Sequence, residues 1–372
     1  MTIEERLARV GLCAAVEPGT VAVARSVVRH GPVRTWRSLQ AGDRELDPRG
    51  RWQRRASSIE AAAVLAAGQR AGLRFICPGD TEWPVSLDDL DHTVDEPEPV
   101  APAVGLWVRG IADVGEICQA SVAVVGSRAA TEYGVRSAAD LGADLTLAGW
   151  TVVSGAAFGI DQAAHRGALA AGGSTMAVLA CGADQVYPSS HTRLLERITA
   201  EGAVVSELPP GATPTRARFL SRNRLIAGMT RGVAVVEAAR RSGALSTATW
   251  AAKLGRPVAA LPGPVTSALS VGCHDLVRNG AGTLATDAAE VLDAVGRLGI
   301  DAAPEPVNPD TVRDRLPDDV AETLEALPAS GTATAAQLSA RTGFTEQECA
   351  AALSMLRDHG MVHRRGAGWQ LA

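Results

Sequence analysis

Residues 216–229, RARFLSRNRLIAGM, set Arg216, Arg218, Arg222 and Arg224 within nine positions around Phe219. Extended to Arg241, the stretch carries seven arginines and one acid, Glu237, a local charge of +6 in a chain whose net charge is −5. A guanidinium pairs with phosphate through two donors at once and its plane stacks on bases. Phe219 adds a ring in a chain only 3% aromatic. A positive groove beside an aromatic platform suits single-stranded nucleic acid: the charges track the backbone without reading sequence, and the ring accepts any base face. The competing account is a salt-bridged helix start near Arg222. Arginine at the positive end of a helix dipole is unfavourable, so that account leaves the residue choice unexplained. Phe219, Arg222 and Arg224 are the expected contacts. Leu225 and Ile226 are expected to anchor the helix in a core, and Arg216 and Arg218 to form a mobile rim.

Three further segments could hold an anion. VAVVGSRAATEYG (122–134) reads as a strand, a tight Gly126-Ser127-Arg128 turn and a helix. Amides at a helix N-terminus attract phosphate, and Arg128 adds a fixed charge. The alternative is a plain turn with a solvated arginine. Neither G-x-G-x-x-G nor a Walker A motif is present, so no nucleotide cofactor is expected. VVSGAAFGIDQAAHRGAL (152–169) repeats the arrangement, with Ser154, Gly155 and Gly159 permitting a phosphate-cradling turn. Asp161 and His165 lie four apart there. They could be a catalytic pair, but no nucleophile accompanies them, and a capping Asp with a structural His is the preferred reading. VVEAARRSGALSTATWAAKLG (235–255) puts Glu237 at a strand end and Ser242, Gly243, Ser246 and Thr247 in a polar loop. That loop either binds sugar or phosphate or caps the next helix. His359 and His363 straddle a helix end and a hairpin, and no metal site is expected.

The elements that must position these residues follow from hydrophobic period. Short β-branched runs at 122–126, 151–155, 176–182, 203–207, 233–238 and 257–263 alternate with helix-length segments at 133–148, 160–171, 191–200, 222–229 and 243–254. Continuous apolar strands alternating with helices predict an α/β, Rossmann-like doubly wound, mostly parallel sheet over 73–297. Residues 1–72 read as short helices, and 91–105 as an acidic, proline-rich loop. Residues 298–316, containing PEPVNP, read as a linker. Residues 317–372 read as three helices and a hairpin, a winged helix. The helix over 345–359 carries Glu346, Glu348 and Asp358 against Arg357, which argues against a duplex-reading role. That domain is expected to contact protein, or to touch DNA only through Arg364 and Arg365. The N-terminus lacks a signal-peptide pattern and no apolar run approaches the roughly 18 residues of a membrane span. The six cysteines are scattered outside any zinc spacing. A cytoplasmic location is expected.

GSR, SGAAFGID-x-x-AH, AVLACGADQVYP, RFLSRNRLIAGM, VVEAARRSGALSTA and ALPGP followed by GCHDLVRNGA occur in that order. Together they resemble the DNA-processing protein A family (DprA, also called Smf) over roughly 75–295, with 82–110 similar to its lead-in. The resemblance implies a non-catalytic recombination mediator that binds incoming single-stranded DNA in natural transformation, protects it and loads the RecA recombinase. It also implies a homodimer, a sterile-alpha-motif-like N-terminal domain and a C-terminal winged helix. Arg128 would hold phosphate, and Phe219, Arg222 and Arg224 around Asn223 would form the strand-binding pocket. The chain departs from the family pattern at Ala156, Phe158, Leu220 and His274. The alternative is a Rossmann-like nucleotide sensor or nucleotide N-glycosidic hydrolase using Glu237, although that class's PGG-x-GT-x-x-E signature is absent. A transcriptional regulator acting through the C-terminal domain is a third reading, disfavoured by its acidic helix.

Overall fold

The computed structural model describes residues 1–92, 101–296 and 315–372. The expected loop at 91–105 and linker at 298–316 fall largely outside them. The chain divides into two compact units, Met1–Ala303 and Pro304–Ala372.

The first unit is built on a nine-stranded sheet. Its strands are β1 (Arg74–Ile76), β2 (Leu106–Gly110), β3 (Ser121–Val125), β4 (Thr151–Ser154), β5 (Thr175–Val178), β6 (Ala203–Ser206), β7 (Gly232–Val235), β8 (Val258–Ala260) and β9 (Thr283–Leu284). Their order is β1-β2-β6-β5-β4-β3-β7-β8-β9. β6 through β9 in that order are mutually parallel, and β2 and β1 run antiparallel at one edge. The doubly wound, mostly parallel sheet expected from the sequence is therefore present. The chain winds outward from β3 to β6, then returns to the other side of β3 with β7. That reversal opens a crevice at the carboxyl ends of β3 and β7, where open α/β sheets bind ligands.

The helices are α1 (Ile3–Ala15), α2 (Val21–His30), α3 (Pro32–Ala41), α4 (Arg51–Ala56), α5 (Ala61–Arg70), α6 (Asp89–His92), α7 (Val114–Gln119), α8 (Glu132–Leu147), α9 (Ile160–Ala170), α10 (Thr192–Glu201), α11 (Arg216–Met229), α12 (Ala244–Lys253), α13 (Val271–Arg278) and α14 (Ala288–Val295). Strand alternation sorts them onto two faces. Ala123, Val125, Val233 and Val235 pack with Leu225 and Ile226 of α11 and Ala248 of α12. Val122, Val124 and Ala234 pack with Leu141 of α8, Ile160 of α9 and Val291 of α14. Leu225 and Ile226 thus anchor α11 as expected. The N-terminal helices do not stand apart: Val10 and Cys13 of α1 share a buried cluster with Phe75 and Trp107 of β1 and β2. Residues 1–72 belong to the same compact unit as the sheet, and the boundary expected near 72 is not a boundary between units.

α8 and α9 lie against each other at backbone distance. A Cβ on Gly167 would stand 1.9 Å from the Ala139 carbonyl oxygen, and one on Gly142 would stand 2.4 Å from that of Ala164. Gly167→Ala must push the helices apart. Overpacking of this kind costs about 1–3 kcal/mol, and urea denaturation of the variant against wild type measures it.

The second unit holds α15 (Asp318–Glu325), α16 (Ala335–Thr342), α17 (Glu346–Asp358) and a hairpin of β10 (Val362–Arg365) and β11 (Gly368–Leu371), extended by a bridge between Ala333 and Trp369. Leu324, Leu338, Leu353, Leu356 and Val362 form its core. Glu348, one of the acids of α17, closes a capping box with Thr345. Its carboxylate accepts from the Thr345 amide at 2.7 Å and hydroxyl at 2.8 Å, so helix formation accounts for it locally.

Candidate nucleic-acid interface

A cleft of about 800 Å³ opens at the crevice between β3 and β7. Its walls are the turns after β3, β4 and β7 and one face of α11. Gly126, Ser127, Arg128, Phe219, Arg222, Asn223, Ser242 and Gly243 line it. The remaining expected residues, Ser154, Gly155, Gly159 and Arg224, do not.

The α11 face follows from where the helix begins. Thr215 caps it, its hydroxyl accepting from the Arg218 amide, so the helix starts at Arg216 and not at Arg222 as the sequence reading had it. At 100° per residue, Arg216, Phe219, Arg222, Asn223 and Ile226 fall on one side, whereas Arg224 lies about 200° from Arg222. The expectation that Arg222 and Arg224 work together fails on this phase. Arg224 points the other way and is 2% exposed. Its Nη2 donates to both carboxylate oxygens of Glu207, at 2.7 and 2.9 Å, and its Nε donates to the Ala101 carbonyl at 2.7 Å. Arg218, expected on a mobile rim, donates to the Glu17 carboxylate at 2.8 and 3.0 Å. Arg216 remains exposed at the cleft mouth.

Arg222 forms the cleft floor. It is 6% exposed. Its guanidinium donates to the carbonyls of Gly155 and Val178, tying the ends of β4 and β5 together, and to Asn223 Oδ1. Burial pulls its pKa down to about 10, with Asp161 opposing the shift. Gly155 is required here because a Cβ would meet the guanidinium at 2.4 Å. Asn223 Nδ2 donates to the Gly243 carbonyl and Ser246 Oγ, joining α11 to the loop before α12. Ser154 is fully buried, its hydroxyl donating to the Val124 carbonyl at 2.6 Å. Gly159 adopts φ +75°, and a Cβ there would stand 2.3 Å from the Ser127 carbonyl. Ser154, Gly155 and Gly159 therefore shape the site from behind.

Two acids fill positions where a phosphate could otherwise sit. Glu237 is 1% exposed, and its carboxylate accepts from the Thr131 amide at 2.9 Å and hydroxyl at 2.6 Å at the N-terminus of α8. A hydrolase reading that assigns Glu237 to catalysis loses its residue to this cap. Asp161 accepts from the amides of Gly155 and Ala157 at 3.2 and 3.3 Å. Burial raises its pKa, and Arg222 opposes the rise. His165 bonds Thr175 Oγ1 through Nδ1 at 2.8 Å, and burial lowers its pKa to about 3. Each member of the Asp161–His165 pair has its own structural partners.

The exposed positive charge sits on the rim. Arg128, Arg216 and Arg241 are exposed and line the mouth. The Arg128 guanidinium lies 4.5 Å over the Phe219 ring. Tyr187, from the turn after β5, lines the same mouth with its ring centroid 5.6 Å from that of Phe219. Sequence reasoning quoted Tyr187 within a motif and counted Arg241 in the local charge, but assigned neither to the site. An aromatic residue in the loop that follows a parallel strand's carboxyl end was the available signal for Tyr187. Phe158, at a departure from the family pattern, is exposed with its ring edge-on to His191 at 4.7 Å. Among the described residues no cluster of His, Cys, Asp or Glu could hold a metal ion, and no helix is long and apolar enough to cross a membrane.

The model of the family described as DNA recombination-mediator protein A matches residues 74–296. The chain is 44% identical to a DprA-named DNA processing protein of Mycobacterium tuberculosis over 314 residues, covering 84% of this chain and 80% of that one. It is 42% identical over 206 residues to the DNA processing protein DprA of Streptococcus pneumoniae, 55% of this chain and 69% of that one. The X-ray structure of the Streptococcus pneumoniae protein superposes with a TM-score of 0.66 at 30% identity, covering 80% of this chain and 99% of that one. DprA of Helicobacter pylori shares the fold, with a TM-score of 0.51 at 24% identity over 60% of this chain and 96% of that one. With the matched region spanning the sheet and every wall of the cleft, the chain belongs to the DNA recombination-mediator protein A family.

Proposed function

We propose that this protein binds single-stranded DNA along the cleft and acts without catalysis as a recombination mediator, protecting incoming DNA and loading RecA during transformation. It does so as a cytoplasmic homodimer, with residues 317–372 acting as a winged helix that contacts protein. Family membership supports the role. The observation that carries the binding mode is the division of charge at the cleft. Glu237 and Asp161 occupy the backbone amides that would hold a nucleotide's phosphate, whereas Arg128, Arg216 and Arg241 stand across the mouth. Spaced rim cations with an aromatic ring fit a polymer's successive phosphates and bases better than one mononucleotide.

Fluorescence anisotropy with labelled oligo-dT across a salt series tests this. Wild type binds oligo-dT more tightly than the same length of duplex. Arg128→Ala flattens the slope of log affinity against log salt by about 0.7, one phosphate contact on a single strand. Phe219→Ala removes the ring against which Arg128 and Tyr187 pack, and weakens binding about tenfold. Equal affinity for single strand and duplex, or unchanged affinity in both variants, would overturn the reading.

A further inference from the structure

We infer that Tyr187 is a base-stacking platform that extends the single-strand track beyond Phe219. The inference rests on the proposed binding of single-stranded DNA in the cleft and adds a positioning residue to it. The chain has four Phe and two Tyr. Three of those six rings, Phe158, Phe219 and Tyr187, gather at the carboxyl edge of the sheet, on segments that follow β4, β6 and β5. Rings placed by core packing would be buried. Tyr187 is 43% exposed and Phe158 47%.

Phe219 is not itself an open platform. It is half-buried, and Arg128 covers its face at 4.5 Å. The Tyr187 ring stands 5.6 Å from it at 53°, too close for a base to slide between them. Arg128, Phe219 and Tyr187 thus form a preassembled cluster, and its exposed ring is Tyr187. The turn carrying that ring is held firmly. His191 is 2% exposed, its Nδ1 lies 3.0 Å from the Ala156 carbonyl, and its amide donates to the Pro188 carbonyl at 2.9 Å. A rigid, exposed aromatic ring beside a cationic mouth presents a π-face to any base at little entropic cost. Because the platform is neutral, it adds affinity without adding salt dependence.

The test measures oligo-dT binding by Tyr187→Ala and Tyr187→Phe, with matched oligonucleotides in which single bases are replaced in turn by abasic sites. Tyr187→Ala is expected to weaken oligo-dT binding about tenfold with the salt slope unchanged, and Tyr187→Phe to bind like wild type. At one abasic position wild type should fall to the affinity of Tyr187→Ala, and the variant should lose nothing further. A merely structural role would not produce that position-specific equivalence. Wild-type affinity in Tyr187→Ala, or an equal loss in Tyr187→Phe, would overturn the platform while leaving the binding function standing. Failure of wild type to bind oligo-dT would remove both.

Discussion

Arg224→Ala should lower the stability of the first unit by about 3–5 kcal/mol, the cost of leaving one partner of a buried ion pair uncompensated. Glu207 is 5% exposed and holds Arg224 through both oxygens. Among the described residues its carboxylate otherwise accepts only a long bond, 3.4 Å from the Val104 amide. Removing the guanidinium also strips a donor from the Ala101 carbonyl. Urea denaturation measures the loss. The double variant Arg224→Met, Glu207→Leu removes both charges and keeps volume, so it should lie within about 1–2 kcal/mol of wild type or above it. If Arg224 serves the fold alone, that double variant keeps wild-type oligo-dT affinity and salt slope. A flattened slope would put Arg224 back at the DNA.

This prediction opposes what the arginine count alone suggests, and the reason is helical phase. Seven arginines in the 216–241 stretch locate a positive surface, but they do not say which side chains face it. Taking the helix from Arg222 hid the Thr215 cap and with it the face shared by Arg216, Phe219 and Asn223. The central strands were legible because both their faces are buried, so Val122–Val125 and Val233–Val235 read as unbroken apolar runs. β1 and β9 hold three and two residues and leave no period to detect. Glu237 was seen at the right strand end, but its task depends on Thr131, 106 residues away, and no local pattern reports such a bond. Tyr187 reaches Phe219 only through the order of β5 and the other strands in the sheet.

The acids beneath the cleft bear on selectivity. In a dinucleotide-binding sheet the amides at the turn after a central strand are open to pyrophosphate. Here Glu237 caps α8 from within, and Asp161 engages the turn after β4. With those amides taken and the Arg222 charge on the floor facing Asp161, a ligand's negative charge is drawn to the rim, where Arg128, Arg216 and Arg241 stand exposed. A strand lying across the mouth meets that field. A phosphate seated deep at the α8 turn does not.

Acid should weaken the fold through His165. The side chain is fully buried, its Nδ1 is bonded to Thr175, and its Nε2 has no partner among the described residues. Burial, then His191 and Arg222, lower its folded pKa to about 3. Unfolded, it titrates near 6.5. Between those values the unfolded chain binds the extra proton, so stability rises with pH and is lost as pH falls below about 6.5. At 1.36 kcal/mol per pH unit the loss from this group is about 2 kcal/mol at pH 5 and about 4–5 kcal/mol near pH 3. His191, also lowered by burial, acts in the same direction. Asp161 acts in the opposite one: its folded pKa is raised, so its protonation on acidification favours the native state. Comparing wild type with His165→Asn isolates the histidine, because both other groups are common to the two proteins. Asn reaches Thr175 but carries no titrating proton, so the variant starts less stable at pH 7 from lost packing. Its stability should then fall less steeply toward pH 5, by about 2 kcal/mol, in urea denaturation at each pH. Parallel pH profiles for the two proteins would mean that His165 accepts a proton in the folded state without cost.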